Sequence, residues 1–225
     1  MSKHKLEGLP TLKVESESIA AHFSDGLLMH FVKEETIISG RDEPEGVYLI
    51  KDGFVKAYSV SKDGNANLLL VHEAGEFIPL PWALDGAHTT GLYYEAMSDV
   101  TVLRASKDKL RSAMGNNTWL SQEVLKQAVN IIAIYSNRIQ TLEFRSARGR
   151  VISELLNYAE RFGKLTGNKV TINAPITQQD IADSINMARE TANIALGSLF
   201  EEGLVGQEEH LFVILDLPAL QAALS

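Results

Sequence analysis

The chain has 225 residues, of which 45% are hydrophobic and 22% are charged, as in an ordinary globular protein with room for two modest domains. It contains no cysteine, which excludes disulfides, thiol redox sensing and cysteine-ligated zinc or iron–sulfur clusters. The net charge of −8 argues against non-specific coating of nucleic acid, but it does not exclude a local binding patch.

The N-terminal stretch MSKHKLEGLPTLKVESES lacks the apolar core of a signal peptide. The sequence has no run of about eighteen apolar residues, so no membrane span is predicted. We therefore expect a cytoplasmic protein. The first predicted element is a short helix at ESIAAHF.

Residues from about 28 to 105 form short apolar runs separated by glycine and polar pairs, a pattern typical of antiparallel strands. Two copies of KDG, at 51–53 and 62–64, supply Asp-Gly turns that favour hairpins. The strand-like runs are GVYLI, FVKAYSV, NLLLVHEA and VTVLRAS. The sequence therefore predicts an all-β block.

A long helix is predicted from Thr118 onward, with Asn117 or Thr118 as its N-cap. Apolar residues spaced alternately three and four apart form a heptad seam along it. The seam residues are Leu125, Ala128, Ile132, Tyr135, Ile139 and Leu142. A second face carries Val124, Ile131 and Ile134, so the helix needs two partners. We interpret these as the β block and a second copy of the chain; a single thick intramolecular contact is the alternative.

From Ser146 to Ser225 the pattern predicts helix, strand, two short helices and a terminal hairpin, which is the order of a winged helix. Gly163 ends the helix GRVISELLNYAERFG, and KVTI follows as a strand. The hairpin LVGQEEHLFVIL carries Glu208 and Glu209 near its tip.

The two short helices lie in ITQQDIADSINMARETANIALGSLFEEGLV. Thr177 can cap the first helix, with Asp180 giving a capping-box-like start. Asn186 lies at the corner, where asparagine tolerates a left-handed conformation. The second helix is expected from about Ala188 to Glu202, and Gly203 ends it.

The second helix is predicted to have an inner face that packs and an outer face near its start. The inner residues are Thr191, Ala192, Ala195, Leu196 and Leu199. The outer residues are Arg189, Glu190, Asn193 and Ile194. Arginine can donate to guanine, glutamate can accept from cytosine, and an apolar side chain can contact a thymine methyl. A solvated helix face is the alternative, although the attached hairpin favours DNA binding.

In combination these motifs resemble the CRP/FNR superfamily of bacterial transcription regulators along about residues 20–217. GVYLIKDGFVKAY resembles the family's cyclic-nucleotide-binding-type β-roll, GEFIPL a family strand and turn, and EAMSDVTVLRASKDKL its closing strands. The heptad helix is similar to the dimerisation helix, and the helix pair, with RET at 189–191, to the helix-turn-helix.

The resemblance implies an α+β protein with three parts. These are an antiparallel β-roll of the cupin-like jelly-roll type that senses an effector (1–115), a dimerisation helix (116–145) and a winged helix-turn-helix (146–225). The implied function is a homodimeric, sequence-specific DNA-binding transcription regulator without enzymatic activity. The implied partners are double-stranded DNA, a second copy of the chain, RNA polymerase and an unidentified small-molecule effector, with no membrane.

The residues expected to contact DNA lie on the helix pair and beside the hinge that precedes it. They are Thr177, Gln178, Ala188, Arg189, Glu190, Asn193 and Ile194, with Arg145, Arg148 and Arg150 gripping the phosphate backbone. Ile194 stands where the family has a second recognition-helix arginine. From Arg145 to the end, seven basic residues stand against ten acidic ones, a balance near −3 that is unusual for a DNA-binding domain. The alternative function is therefore a degenerate family member, a ligand- or protein-binding module with weak DNA affinity.

Cyclic-nucleotide-binding members of the family carry a Gly-Glu pair for the ribose and an Arg-Ser pair for the phosphate. Ungapped counting from Gly75 places Pro79 and Leu80 at the first pair, and Thr90 and Gly91 at the second. A cyclic phosphate would lose its counter-charge and its ribose acceptor there. We therefore expect no response to cyclic AMP.

Side chains near the same loop are candidates for a pocket that takes an aromatic or apolar effector, or for an ordinary core, which we favour. They are Trp82, His88, Thr90, Tyr93 and Tyr94. The six histidines show no metal-ligand spacing, so neither a metal nor a cofactor is expected. Because the family includes haem sensors, His72 and His88 are kept as candidates for a haem test.

Overall fold

The structure is a computed structural model that describes residues 16–85, 91–144 and 146–224. The chain divides into two compact units between Ser136 and Asn137, which lies inside the long helix. In the described ranges, no helix combines the length and the apolarity that crossing a membrane requires.

The first unit contains an antiparallel β-roll, as predicted. Its strands are β1 (Leu27–Phe31), β2 (Thr36–Ile38), β3 (Val47–Asp52), β4 (Val55–Val60), β5 (Ala66–His72), β6 (Phe77–Ile78), β7 (Tyr93–Ala96) and β8 (Val100–Ala105). They form two four-stranded sheets, ordered β1-β8-β3-β6 and β2-β7-β4-β5. The predicted Asp-Gly turns are present, because Gly53 and Gly64 have φ angles of 90° and 83°.

Two apolar clusters pack on the strands of the roll. One contains Tyr48, Ile50, Val55, Tyr94 and Val102 among its buried residues, and it includes Ile134 of the long helix. The other contains Phe23, Leu49, Phe77, Leu80, Trp82, Leu110 and Val124. The consecutive residues Leu49 and Ile50 of β3 belong to different clusters because successive side chains of a strand point to opposite faces.

Short helices surround the roll. They are α1 (Ser16–Ala20), a 3-10 turn (Ala21–Phe23), α2 (Leu80–Asp85) and α3 (Lys107–Asn116). The expectation that EAMSDVTVLRASKDKL holds only strands is wrong at its end. Ser106 caps α3 there by accepting a hydrogen bond from the Lys109 N–H at 3.1 Å, which starts a helix. The helix α2 was not predicted either.

The long helix α4 (Thr118–Phe144) has 27 residues, and its start follows the prediction. The Asn117 side chain accepts a hydrogen bond from the Leu120 N–H at 3.1 Å, which caps the helix. Val124 and Ile134 are buried against the roll, as predicted for one of its two faces. The buried Gln127 holds the helix to the strand region, since it accepts from the Phe77 N–H at 3.0 Å.

The second unit is a winged helix. Its elements are α5 (Ala147–Phe162), β9 (Gly163–Thr166), β10 (Lys169–Ile172), α6 (Gln178–Ser184), α7 (Arg189–Glu201), β11 (Val205–Glu208), β12 (Leu211–Ile214) and α8 (Leu217–Ala222). The strands form one sheet with the order β11-β12-β10-β9. The strand β9 and the helix α8 were not predicted, because all four residues of β9 are exposed and show no alternation.

Candidate nucleic-acid interface

The helix pair α6–α7 begins at the capping box predicted from the sequence. The Asp180 N–H donates to Thr177 Oγ1 at 3.1 Å, and the Thr177 N–H donates to Asp180 Oδ2 at 2.9 Å. The two bonds satisfy backbone N–H groups that a helix start leaves without partners. Thr177 itself is exposed and Gln178 is half-buried, so both stand at the surface of this helix end.

The corner between the helices has the predicted conformation. Asn186 is left-handed, with a φ of 49°, and the Met187 N–H donates to the Ala182 carbonyl at 3.0 Å. Ala182 is fully buried, and its small side chain allows α7 to approach α6 closely. Gly203, with a φ of 67°, follows the end of α7, also as predicted.

The inner face of α7 is largely the predicted one. Ala192, Ala195, Leu196 and Leu199 are buried in the unit. The prediction for Thr191 is wrong, because this residue is exposed. At about 100° per residue, Thr191 lies about a quarter turn away from the middle of the buried face.

The outer face of α7 presents polar and apolar groups side by side. Arg189, Glu190 and the N-cap residue Ala188 are exposed, and Ile194 has 76% of its surface exposed. Asn193 is half-buried, and its Oδ1 is buried without a hydrogen-bond partner in the described part of the chain. From Arg189 to Ile194 these side chains lie within about 140° around the helix axis, so they can face one groove.

Arg148, which was expected to grip the phosphate backbone, has partners inside the protein. Its Nη1 donates to Ser198 Oγ at 2.6 Å and to Glu202 Oε1 at 2.8 Å, and its Nη2 donates to Glu202 Oε2 at 2.6 Å. The guanidinium therefore binds the last turns of α7 instead of pointing freely toward a phosphate.

Arg150 also has partners inside the protein. Its Nη2 donates at 2.6 Å to the carbonyl of Leu142, near the end of α4, where the last carbonyls of a helix lack partners. Ser146 caps α5 by accepting from the Gly149 N–H at 3.1 Å. Arg145 lies outside the described residues. In the described part, the arginines expected to bind phosphate are thus two residues that already bond to other helices of this unit, and phosphate binding stays a prediction.

The wing confirms the expected acidic tip. Glu208 forms an ion pair with Lys169 at 2.7 Å, and Glu209 and His210 have left-handed φ angles of 49° and 69°. Two consecutive left-handed residues form the kind of turn that matches the twist of a hairpin. One of the domain's basic groups is therefore neutralised by the wing itself.

A half-buried glutamate of α5, Glu154, was missed by sequence reasoning. Burial raises the pKa of Glu154, and hydrogen bonds to Tyr158 and Ser184, with the nearby Arg138 and Arg161, partly oppose that rise. Ser184 is the last residue of α6, so Glu154 links α5 to the corner. The residue occupies an inward position on an amphipathic helix, and that periodicity was the only available signal.

The candidates for an effector pocket are not gathered in one place. Trp82 and Tyr94, both buried, belong to different apolar clusters of the roll. Lys107 Nζ lies 4.8 Å from the centre of the Trp82 ring, and Tyr93 stacks on Tyr58 with ring centres 5.5 Å apart. His88 and Thr90 lie outside the described residues. Trp82 and Tyr94 thus pack as core residues.

The positions of the family's nucleotide-binding pairs are apolar where they are described. Leu80 is 2% exposed and packs in the cluster with Phe77 and Trp82. Gly91 has a left-handed φ of 65°. The haem candidate His72 is buried, with its Nδ1 2.6 Å from Glu76 Oε2, so one ring nitrogen is already engaged.

An apolar stripe runs along the surface of α4. Leu125, Ile132 and Ile139 are 63%, 64% and 64% exposed, and Val129, which was not in the predicted seam, is 56% exposed. The other members of the predicted seam are partly covered. Ala128 packs toward the roll, Tyr135 lies close enough to Tyr94 to influence its pKa, and Leu142 is half-buried. The exposed apolar stripe therefore includes Val129 and excludes Ala128, unlike the predicted seam.

A helix-turn-helix with an exposed outer face, a wing and an attached β-roll define a DNA-binding transcription regulator. Residues 149–223 match the model of the Crp-like helix-turn-helix domain, and residues 28–117 match that of the cyclic nucleotide-binding domain. The chain belongs to the CRP/FNR family of transcription regulators, whose matched members are regulators and not enzymes.

Relatives of known role cover most of the chain. It is 26% identical over 204 residues, 90% of both chains, to a CRP-like cAMP-activated global transcriptional regulator of Mycobacterium tuberculosis. It is 26% identical to the nitrogen fixation regulation protein FixK of Bradyrhizobium diazoefficiens, over 80% of this chain and 74% of the relative.

Solved structures share the fold. FixK2 from Bradyrhizobium japonicum superposes with a TM-score of 0.74 and 22% identity, covering 88% of this chain and 96% of the other. A CooA variant from Carboxydothermus hydrogenoformans superposes with a TM-score of 0.76 and 19% identity, covering 91% and 90%.

Proposed function

We propose that the chain is a homodimer that binds a specific, two-fold symmetric DNA site through α7 and does not respond to cyclic AMP. The observation that carries this proposal is the exposed outer face at the start of α7, where Arg189, Glu190 and Ile194 stand together. Side chains at the start of a recognition helix are the ones that reach base edges in the major groove.

Each of the three side chains suits a different base. Arg189 can donate two hydrogen bonds to guanine O6 and N7, and Glu190 can accept from the amino group of cytosine. Ile194 has no donor, so we expect it to contact a thymine methyl group where the family has a second arginine. The proposed half-site therefore contains a guanine–cytosine step and a position that favours thymine or lacks preference.

Dimerisation is supported by the exposed stripe of α4. Burying a leucine or isoleucine side chain contributes about 1.5–3 kcal/mol, so covering Leu125, Ile132 and Ile139 on each of two helices favours association. Two recognition helices would then contact half-sites whose centres are about 34 Å apart. RNA polymerase and a small-molecule effector stay predictions from the family resemblance.

The lack of a cyclic AMP response is supported by the residues at the nucleotide-binding positions. Leu80 offers no acceptor to a ribose hydroxyl, and it is buried in an apolar cluster. A buried ribose or phosphate oxygen that finds no partner is costly. The cyclic AMP activation in the name of the mycobacterial relative belongs to that protein.

A selection from random double-stranded DNA tests the proposal. We expect enrichment of a symmetric site, and we expect Arg189→Ala to lose preference at one base pair in each half-site. Glu201→Ala, an exposed change at the other end of α7, is the control for altered charge. If no symmetric site is enriched, the degenerate ligand- or protein-binding function becomes the better explanation.

A further inference from the structure

The first turn of α5 carries two arginines, although the start of a helix is the positive end of its dipole. Arg148 and Arg150 lie close behind the capping residue Ser146. A cation is electrostatically disfavoured at this end of a helix. Helix formation therefore does not explain why arginines occupy these two positions. The contacts of their guanidinium groups explain it better.

The two side chains reach different helices. Arg150 donates to the Leu142 carbonyl of α4, whereas Arg148 donates to Ser198 and Glu202 of α7. One helical turn thus contacts both the end of the long helix and the end of the DNA-contacting helix.

We propose that Arg148 is a positioning residue for the recognition helix: it sets how α7 lies on α5 and does not grip a phosphate. This inference rests on the proposed DNA-binding function. Ser198 and Glu202 are four residues apart, so they occupy one face of α7 in successive turns. A planar guanidinium that bonds to both fixes the rotation of α7 as well as its distance from α5.

The charges at this point disfavour a phosphate contact. The Glu202 carboxylate neutralises Arg148, and its two oxygens accept from both Nη atoms of the guanidinium. A phosphate would have to displace that carboxylate or approach it against like-charge repulsion. Ser198 continues the connection into α7, because its Oγ donates to the Ala195 carbonyl at 3.1 Å.

The ion pair between Arg148 and Glu202 lies near the surface. An effect on DNA binding can therefore be distinguished from an effect on folding. The side chains of Arg148 and Glu202 are 32% and 48% exposed. Ion pairs this exposed contribute little to folding. Breaking the pair should therefore leave the unfolding temperature nearly unchanged, while the rotation of α7 against α5 loses this constraint.

The experiment measures the affinity of the full chain for the selected DNA site at several salt concentrations. The variants are Arg148→Ala, Arg148→Lys, Glu202→Ala and the double variant Arg148→Ala/Glu202→Ala. Glu201→Ala removes the neighbouring exposed carboxylate and serves as the control for charge. Arg189→Ala serves as the control for base contacts, and thermal unfolding checks that every variant is folded.

We expect Arg148→Ala and Glu202→Ala to weaken binding about equally, by on the order of tenfold, with the double variant no worse than either, because coupled residues are not additive. Arg148→Lys should weaken binding nearly as much as Arg148→Ala, since lysine keeps the charge but not the planar fork. The dependence of affinity on salt should not change, whereas each lost phosphate contact would reduce the slope by about 0.9.

Two results would overturn the proposal while the proposed function stands. In one, Glu202→Ala tightens binding and Arg148→Ala reduces the salt slope, which means that Arg148 grips a phosphate. In the other, Arg189→Ala weakens binding but none of the Arg148 and Glu202 variants does, which means that the contact has no part in positioning. If the wild-type chain binds no selected site, the proposed function fails and this inference fails with it.

Discussion

The β-roll and the winged helix differ in the side chains that they place at the positions expected to bind a ligand. On α7, Arg189 and Glu190, which the family resemblance assigns to base contacts, are exposed. In the roll, Leu80, which the resemblance places where relatives have a ribose-binding glutamate, is buried among apolar residues. The fold of both units is that of the family, and our proposal assigns the family's polar contacts to the winged helix alone.

The difference has a physical reason. A buried glutamate without its ligand destabilises a roll, whereas a buried leucine contributes about 1.5–3 kcal/mol to its stability. Losing the nucleotide can therefore improve the folding of the roll. An exposed side chain such as Arg189 has no comparable effect on folding, so contact with a partner is the better explanation for its presence.

The largest expected effect comes from breaking the exposed stripe of α4, the dimer interface that we propose. We expect Ile132→Lys combined with Ile139→Lys to give a monomer, because the change places like charges in the seam. A monomer loses the second half-site and with it on the order of 10³-fold in DNA affinity. Light scattering and a DNA-binding titration measure the two effects.

The matched control is Asn137→Lys, an exposed position on the same helix at about 140° from the stripe. This variant should remain a dimer with unchanged affinity. A dimer that persists in the Ile132/Ile139 variant would instead place the interface elsewhere on the chain.

The next effect concerns the exposed outer face of α7. Arg189→Ala should reduce discrimination at one guanine–cytosine pair by about 1–3 kcal/mol, because a bidentate contact to guanine is lost. Competition titrations with operators changed at single base pairs measure this loss. Ile194→Arg is the converse variant, and we expect it to add a preference for guanine at a second position.

An unchanged site preference in Arg189→Ala would contradict the assignment of this face to base contacts. So would an effect of equal size at every base pair, because uniform weakening is the signature of a backbone contact.

Sequence reasoning was accurate where a feature depends on neighbouring residues. Thr177, Asp180 and Asn186 act within a few positions of themselves, so capping and turn chemistry predicted the helix pair and its corner. The alternating and heptad patterns likewise predicted the roll and α4, since one face of each is buried.

Sequence reasoning missed contacts whose partners are distant along the chain. Arg148 bonds to Ser198 and Glu202, which are 50 and 54 residues away, so its basic charge alone suggested a phosphate contact. For Trp82 and Tyr94 the sequence left an effector pocket and an ordinary core open and favoured the core, because nothing local tells on which side of a sheet each side chain packs. The strand β9 exists because it pairs with β10, not because its own residues alternate.

A smaller effect involves the carboxyl of Glu154, a half-buried residue of the winged helix. Burial raises the folded-state pKa of this group above its unfolded value, so its stabilising contribution is complete below the unfolded pKa. That contribution is lost as the pH rises through the folded-state pKa. The stability of the winged helix should therefore fall over this range, and Glu154→Gln should flatten the fall.

Unfolding in urea at several pH values, followed by a probe in the winged helix, measures this contribution. Ser153→Ala, a change at the adjacent position of α5, is the control. A fall in stability of the same size in Glu154→Gln would assign the pH dependence to another group.

The last prediction is that cyclic AMP has no effect on Tm. It tests whether the β-roll lacks a nucleotide site. A ligand that binds only the folded protein stabilises it by about 4 kcal/mol at a thousand times its Kd, which raises Tm by several degrees. Millimolar cyclic AMP should leave the Tm of this chain unchanged, because Leu80 and Gly91 provide neither the ribose acceptor nor the phosphate donor. In the same assay the selected operator DNA should raise Tm, which shows that binding is detectable. A rise of several degrees with cyclic AMP would mean that other side chains near the loop bind the nucleotide, and that the roll has kept a site that its sequence hides.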